Sequence, residues 1–506
     1  MILENGLIRT MGAPVPTQRA LAIAGDTIAG GVGVHEHALP SPDHVDLGGR
    51  TVVPGLTDSH VHFPTWALAR TQIALDGCRS LDETIERIRT APRRPGEMMR
   101  GYGWRTGDWT PAAEPTAAAL DAVTAHTPAA MISKDYHSLW LNSSALALAQ
   151  GDLEIAGGVV ERDEHGEPTG VLREEAAWQF KDRYLAVSDD VYIEAMRAGL
   201  KVAASRGVTA VHDKDGSLGA LRLWQRLERA DALTLRVWQS APADRAETLR
   251  AADVASGFGT GMLRLGYLKA FMDGTLGSQT ALMLDGSGVR ITSGDELTEI
   301  VLVGARAGFP IAVHAIGDGA NREALDAFER TRETWAPLGL RHRVEHAQLL
   351  APEDLPRFAA LGIACSVQFS HATSDRDLAD RLWGGKTDGA YAYRSLVDSG
   401  ALVANGSDAP IEELDPLAGI RAGVRRTIDD RPPWHPEQAL TVQHAFEATT
   451  TAPAWLTGEE RRRGRLLPGY TADLVVLDRD PWQDLDAQVV ATMVAGRWVY
   501  NPPPWD

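Results

Sequence analysis

Short apolar runs alternate with helical patterns through most of the second half of the chain. Helical periodicity covers residues 191–206, and Gly207 then predicts the end of that helix. Further helical patterns, including 319–332 and 352–361, separate most of the apolar runs that follow. Those runs are 208–213, 235–239, 265–269, 310–314, 342–346, 363–368 and 402–408. Because strands that alternate with helices are usually parallel, this half of the chain predicts a parallel sheet.

An eighth strand is predicted upstream, in residues 52–62. The stretch begins with apolar, β-branched residues, as buried strands do, and it ends with His60 and His62. Residues two apart on a strand point the same way, so both imidazoles should face one spot at its carboxyl end. Eight strands with intervening helices predict a (β/α)8 barrel, in which the chemistry lies at the carboxyl ends of the strands.

Polar residues mark the carboxyl ends of five predicted strands. They are His60, His62, Lys269, His314, His346 and Asp408. Each alone has an ordinary explanation, such as a core histidine, a lysine reaching solvent or a helix N-cap. Together they predict a metal site, because imidazoles and a carboxylate suit zinc or, less well, manganese, iron or nickel.

Both ends of the chain and one internal segment differ from this pattern. Residues 1–53 and 465–506 are β-rich and predict one small sheet domain built from both termini, although two unrelated β segments are the alternative. The barrel is predicted to span 54–464. Within it, 63–185 is irregular and rich in Trp, Gly and Pro, which predicts a long insertion that covers the site. Its aromatic residues, Trp104 above all, are candidates for a substrate pocket, with ordinary packing as the alternative.

Charge and cysteine content disfavour several classes of protein. The 506 residues include 50 basic and 68 acidic side chains, a net charge of −18, which disfavours binding to nucleic acid or to anionic membranes. Two cysteines, Cys78 and Cys365, do not make a disulfide framework, so we expect a reducing, cytoplasmic location. We see neither a signal peptide nor an apolar run long enough to span a bilayer.

Six segments resemble the amidohydrolase superfamily, and within it the YtcJ-like metal-dependent hydrolases related to N-substituted formamide deformylase. They are 53–62, 268–274, 313–318, 343–348, 405–410 and 467–477. The resemblance implies a distorted TIM barrel with a β-sandwich from both termini and a metal-bound hydroxide as nucleophile. It also implies a carboxylated Lys269. A lysine buried near divalent cations should lose its proton and could react with carbon dioxide, giving a carbamate that bridges two metals. The alternative is a free amine and a single metal ion.

From these residues we expect hydrolysis of an amide-like C–N bond, N-formyl or N-acyl, in a small molecule. Asp408 would accept the proton of the attacking water, and His137 would help to stabilise the oxyanion. The chain departs from the family at Tyr136 and Gln279, both in predicted substrate-facing loops. Deaminase relatives often carry a glutamate where Gly317 stands, which disfavours deamination.

Several alternatives stay open at this point. Ester or lactone cleavage would need the same ligands, and a non-catalytic barrel that only binds is a third possibility. A homodimer is compatible with the resemblance. We interpret His212 and Asp213 as supporting or structural residues, Glu345 as structural, and His371 and His444 as ordinary core or surface histidines.

Overall fold

The computed structural model describes residues 1–30, 43–93 and 96–505. They form two compact units, residues 1–63 with 197–506 and residues 64–196. The first unit contains an eight-stranded parallel sheet whose strands follow one another in chain order. We number them β1 (Leu56–Val61), β2 (Val208–Asp213), β3 (Arg236–Pro242), β4 (Leu263–Phe271), β5 (Ile311–Ala315), β6 (Arg343–His346), β7 (Ala364–Val367) and β8 (Val403–Asn405).

The sheet curves round until its last strand meets its first. The backbone N–H of Asp408, just after β8, donates to the carbonyl of His60 on β1 at 2.7 Å, and the N–H of His62 donates to Ala409 at 2.9 Å. Strands β1, β5, β6 and β7 are buried throughout, as expected for strands covered on both faces. The predicted fold class, a distorted (β/α)8 barrel with additional sheets, is confirmed.

The sequence predicted one strand in residues 52–62, but the structure has two strands there. Thr51–Pro54 pairs with Leu474–Leu477 in a different sheet, and the barrel strand starts only at Leu56. Only glycine fits at position 55 between the two strands, since a Cβ there would lie 2.1 Å from the hydroxyl oxygen of Thr209. The sequence does not reveal this break, because the strands on both sides of Gly55 are buried and similarly apolar.

Helices follow most of the barrel strands. The long helix Asp189–Ser205 precedes β2, and Gly207 after it has φ +77, the left-handed conformation that ends helices. The other helices of this unit are Ala220–Arg229, Ala246–Ala251, Gly294–Arg306, Asp318–Arg330, Arg332–Trp335, Leu355–Leu361, His371–Ser374, Arg376–Trp383, Tyr393–Asp398, Pro416–Arg425, Val442–Thr449 and Thr451–Leu456. Across the described ranges, no helix combines the length and the apolar character needed to cross a membrane.

Strands from both chain ends build two further sheets. A four-stranded sheet has the order Thr27–Gly30, Leu21–Ala24, Ile2–Glu4 and His44–Asp46. A six-stranded sheet has the order Arg497–Tyr500, Val489–Val494, Leu474–Leu477, Thr51–Pro54, Leu7–Arg9 and Thr17–Gln18. One hydrophobic core joins them, with Leu3 and Leu21 from the first sheet and Val52, Leu474 and Met493 from the second. The boundaries at 53 and 465 stay a prediction.

The second unit is more regular than its sequence suggested. It holds a six-stranded sheet in the order Gly158–Arg162, Pro168–Glu174, Ser138–Leu141, Ala129–Ser133, Met99–Trp104 and Ile73–Ala74. Its helices are Phe63–Ala69, Leu81–Thr90, Ala117–Thr124, Ser143–Leu146 and Glu175–Tyr184. A regular sheet therefore underlies an irregular sequence pattern, and the expectation that residues 63–185 cover the site stays a prediction. Short strands interrupted by Gly and Pro lack a clear period, and their pairing becomes visible only in the assembled sheet.

Candidate metal centre

Three side chains meet where β1 and β8 come together. The Nε2 atom of His60 lies 3.2 Å from Oδ1 of Asp408, and the Nε2 atom of His62 lies 3.5 Å from the same oxygen. The donor atoms of these three residues all lie within 4.8 Å of one another. His60 and Asp408 are buried, whereas the His62 side chain is 30% exposed. Two imidazoles and a carboxylate thus converge on one point at the carboxyl end of the barrel, as the sequence predicted.

The next strands add His314, His346 and Lys269 to the same cluster. The ring centroids of His60 and His346 are 4.9 Å apart, and those of His346 and His314 are 4.5 Å apart. Lys269 lies on β4, and its buried amine interacts electrostatically with Asp408 and Glu345. All six residues predicted from the strand ends therefore occupy one end of one barrel.

Each of the four histidines also has a hydrogen-bond partner that fixes its ring. Nδ1 of His60 and Nδ1 of His62 each lie 2.7 Å from a carboxylate oxygen, Nδ1 of His346 lies 2.8 Å from an amide oxygen, and Nε2 of His314 lies 3.0 Å from a carbonyl oxygen. The partners are Glu345, Asp215, Gln368 and Gly274 respectively. Such partners select one tautomer and orient the ring, which is typical of metal-binding histidines.

Glu345 is part of a fully buried charged group. Its Oε1 atom lies 3.1 Å from Nζ of Lys214 and 2.8 Å from Nε of Arg343, while its Oε2 atom takes the hydrogen bond of His60. All three charged side chains are fully buried. Arg343 also stacks over Tyr267, with Cζ 4.3 Å from the ring centroid. The sequence indicated a structural role for Glu345, and the structure makes it the residue that orients His60.

The backbone around the cluster is unusually tight. Asp58 accepts hydrogen bonds from the N–H groups of His60 and Ser407, both at 3.1 Å, which ties β1 to the segment after β8. A Cβ on Gly406 would lie 2.4 Å from the backbone nitrogen of His60, so only glycine fits there. His346 and Asp408 have φ +75 and φ +58, a left-handed conformation that non-glycine residues adopt mainly where surrounding structure imposes it.

Burial and neighbouring charges displace the pKa values at this site. Burial lowers the pKa of Lys269 to about 8, against the opposing pull of Glu345 and Asp408. Burial works against the ionised form of Asp408, but the charges and hydrogen bond of the nearby histidines hold its pKa well below the ordinary value. Burial also works against the ionised form of Glu345, but Arg343 and His60 outweigh this effect and lower its pKa. The site thus favours ionised carboxylates beside an amine that loses its proton easily.

Comparison with known proteins agrees with this geometry. The model of the amidohydrolase family matches residues 43–500. The chain belongs to the amidohydrolase family. LONG AFTER FAR-RED 3 of Arabidopsis thaliana is 30% identical over 99% of this chain and 91% of its own, and YtcJ of Bacillus subtilis is 28% identical over 99% of both. An N-substituted formamide deformylase of Arthrobacter pascens is 28% identical over 95% of this chain and 94% of its own.

A solved structure is similar over nearly the whole length. An uncharacterized metal-dependent hydrolase from Pyrococcus horikoshii superposes with a TM-score of 0.78, at 27% identity, over 95% of this chain and 98% of that one. Together with the family match, this likeness shows that the chain is a metal-dependent hydrolase of the amidohydrolase superfamily. The family resemblance noted in the sequence is thereby confirmed.

The residues of this amidohydrolase fit a divalent metal ion. Neutral imidazoles and a carboxylate are preferred ligands of zinc and its neighbours, and the histidine partners described above preorganise them. The amine of Lys269 is buried, and within the described part of the chain it has no hydrogen-bond partner. A buried polar atom in that state indicates that something outside the protein completes the site. His60, His62, Lys269, His314, His346 and Asp408 are the residues that would hold the metal.

The structure describes two further predicted site residues, Gln279 in the first unit and His137 in the second. Gln279 is exposed in the loop after β4 and has φ +61. His137 belongs to the second unit, where its Nδ1 atom lies 2.7 Å from Glu174. Burial disfavours protonation of His137, yet the hydrogen bond to Glu174 raises its pKa. Their roles in binding substrate stay predictions.

Trp104 has a clear packing role in the second unit. It is 3% exposed, its ring centroid lies 6.2 Å from that of Trp140 and 6.3 Å from that of Trp109, and its Nε1–H donates to the carbonyl of Met131 at 2.8 Å. Ordinary packing in the core of its own unit, the alternative to a substrate pocket, thus explains the position of Trp104.

The sequence analysis missed the residues that support the metal ligands. Asp215 and Gln368 were not singled out, although they orient His62 and His346. Both lie just beyond the carboxyl end of a barrel strand, and that position in the sequence could have identified them as candidates. His212 accepts a hydrogen bond from Arg343 at 3.1 Å, and Asp213 accepts one from Trp224 at 2.6 Å, which agrees with the supporting or structural roles expected for them.

Proposed function

We propose that this amidohydrolase cleaves a C–N bond of a small molecule, in an amide, N-formyl or N-acyl group. The convergence of His60, His62 and Asp408 on one point is the observation that supports it most directly. These residues would hold a divalent ion, which would lower the pKa of a water molecule and polarise a carbonyl group. Similarity to an N-substituted formamide deformylase favours a C–N bond as the target.

Asp408 has the position and charge of a general base. Its carboxylate lies beside the Nε2 atoms of His60 and His62, and its low pKa keeps it ionised. We infer that Asp408 accepts a proton as the water oxygen bonds to the carbonyl carbon. It then returns that proton to the nitrogen as the C–N bond breaks, and the products are a carboxylic acid and an amine.

We further propose that Lys269 is carboxylated. Its buried amine, which has no hydrogen-bond partner among the described residues, and its lowered pKa support the neutral form, which attacks carbon dioxide. The new N–C bond forms as the amine loses a proton to solvent, and the resulting carbamate is an anionic ligand. This reaction turns a neutral amine into an anionic group, which would allow two ions to bind, while the four imidazoles favour zinc as the native ion.

Deamination is disfavoured by the space around Gly317. A Cβ at this position would lie 2.0 Å from the carbonyl oxygen of Leu282, so the glutamate that deaminase relatives carry there does not fit. A cytoplasmic location and a small-molecule substrate complete the proposal.

A substrate panel tests the proposed function. Zinc-reconstituted protein should hydrolyse formanilide or p-nitroacetanilide faster than p-nitrophenyl acetate or a γ-lactone, relative to each uncatalysed rate. Preference for the ester or lactone would reassign the site to C–O bonds. Absence of turnover on every member, with metal bound, would favour a non-catalytic barrel.

A further inference from the structure

His371 is a buried histidine that has no role in the metal site described above. It follows β7 and is 6% exposed. Its Nε2 atom is buried and, among the described residues, has no hydrogen-bond partner. A donor atom of its ring lies within 4.8 Å of donor atoms of His346 and Asp408. Because buried polar atoms are nearly always paired, this imidazole indicates that a ligand approaches the site from its side.

The segment that carries His371 is firmly held. The backbone N–H of His371 donates to the carbonyl of Gln368 at 3.1 Å, and the Tyr393 hydroxyl donates to the same carbonyl at 2.6 Å. The N–H of Phe369 donates to the side chain of Asn405 at 2.9 Å. The His371 ring lies parallel to that of His346, with an interplanar angle of 5° and a centroid distance of 6.3 Å. The imidazole is thus preorganised, as groups that contact a reacting substrate need to be.

His371 differs from the four histidines assigned to the metal. Each of those has one ring nitrogen fixed by a carboxylate, an amide or a carbonyl oxygen. In the described part of the chain the buried Nε2 of His371 has no such partner. Metal-binding histidines almost always have one, because it sets the tautomer and presents the lone pair to the ion. His371 therefore fits a role as hydrogen-bond donor to substrate better than a role as a further metal ligand.

We propose that His371 is a catalytic residue whose imidazole N–H donates a hydrogen bond to the carbonyl oxygen of the bond being hydrolysed. It would take the role that the sequence suggested for His137. Negative charge grows on that oxygen as water adds to the carbonyl carbon, so a fixed donor stabilises the transition state more than the ground state. This inference rests on the proposed hydrolytic function and assigns one part of it to a named residue.

The test compares His371→Asn and His371→Gln with two controls. His314→Asn removes a predicted ligand, and His44→Asn changes an exposed histidine of the terminal sheets. Zinc affinity is measured by chelator competition, and thermal unfolding shows whether each variant folds. We expect both His371 variants to bind zinc within about twofold of wild type, whereas His314→Asn should lose about 10- to 100-fold. A comparable loss of zinc affinity in the folded His371 variants would make His371 a ligand and overturn the proposal.

Kinetics supply the second readout. On the best substrate of the panel, kcat should fall about 100- to 1000-fold in the His371 variants, with a much smaller change in KM. Imidazole added to His371→Ala should restore part of the rate. Binding of acetohydroxamate, whose carbonyl oxygen mimics that of a substrate, should weaken at least about tenfold. Unchanged kcat and unchanged hydroxamate binding would overturn the proposal.

These outcomes separate this inference from the proposed function. If wild type cleaves esters but not amides, the C–N assignment fails, yet the role of His371 is still decided on the ester, which has the same carbonyl. If wild type cleaves nothing, hydroxamate binding decides it alone.

Discussion

The carboxylate of Glu345 lies 2.7 Å from Nδ1 of His60, although 285 positions separate the two residues in the chain. The hydrogen bond requires the proton on Nδ1 and leaves the lone pair of Nε2 on the side of Asp408. Lys214 and Arg343 keep Glu345 ionised from the other side. A buried charged group in the barrel therefore determines how the first predicted metal ligand is presented.

Replacing Glu345 with glutamine should weaken metal binding without removing a ligand. The amide can still contact His60 but loses the charge that favours the Nδ1–H tautomer, so we expect zinc affinity to fall about 10- to 100-fold. Two buried cations would also lose their counterion, which should reduce the free energy of unfolding by about 3–5 kcal/mol. Chelator competition and urea unfolding measure the two effects.

The matched control is Glu353→Gln, which changes an exposed glutamate paired with Arg322. It should leave zinc affinity unaltered and the urea midpoint close to that of wild type, because exposed ion pairs contribute little to stability. Zinc affinity of Glu345→Gln equal to that of this control would refute the orienting role.

Asp408→Asn should separate folding from turnover. Asparagine keeps the size and one oxygen of the side chain, so the folded protein should still bind metal. It cannot accept the proton of the attacking water, and kcat should fall about 100- to 10,000-fold. Metal content and steady-state kinetics on the same preparation check both halves, and near-normal kcat would remove Asp408 as the base.

Gly406→Ala should damage the site through the backbone alone. The added methyl group would lie 2.4 Å from the His60 nitrogen and 2.9 Å from Asp58 Oδ1, so β1 and the segment after β8 must separate. We expect a loss of about 1–3 kcal/mol in unfolding free energy, together with weaker zinc binding. Gly385→Ala, at a position with open space, is the control. Equal behaviour of the two variants would argue against the close approach.

His342 should make stability depend on pH. It is fully buried, its Nδ1 accepts the N–H of Ile311 at 2.8 Å, and burial lowers its pKa from 6.5 to about 3. Below pH 6.5 the unfolded chain binds a proton that the folded chain refuses, so stability present above that pH is lost as pH falls towards 3. Between pH 7 and 5.5 this amounts to about 1.3 kcal/mol.

The variant His342→Asn keeps an acceptor for Ile311 but does not titrate. Its unfolding free energy should be lower than that of wild type at pH 7, yet fall less between pH 7 and 5.5. Urea unfolding at both pH values measures the two slopes, and identical slopes would show that His342 contributes nothing to the pH dependence.

The residues at the carboxyl ends of the barrel strands could be predicted from the sequence. The residues that form hydrogen bonds with the predicted metal ligands could not. His60, Lys269, His314 and Asp408 could be placed because strand–helix alternation fixes which end of each strand faces the site. Glu345 was expected to have a structural role, but its contact with His60 depends on how the whole barrel closes. His371 was interpreted as an ordinary histidine because its neighbours come from β6 and the segment after β8.

The same physical limit explains the errors in the fold. The break at Gly55 is invisible in a stretch that is apolar on both sides, since burial alone does not say which sheet a strand joins. Pairing of short strands makes Trp104 a core residue of the second unit, and a role for it in binding substrate stays a prediction. Local patterns predict elements, and contacts between distant elements decide what those elements bury.

Metal content per chain, measured together with the mass of the Lys269 peptide under conditions that preserve carbamates, tests the central claim most directly. The account predicts at least one tightly held divalent ion per chain and a Lys269 peptide heavier by one carbon dioxide. Both features should disappear together in His60→Asn/His314→Asn protein. A wild-type chain that holds no divalent ion after reconstitution, or holds as much as this double variant, would contradict it.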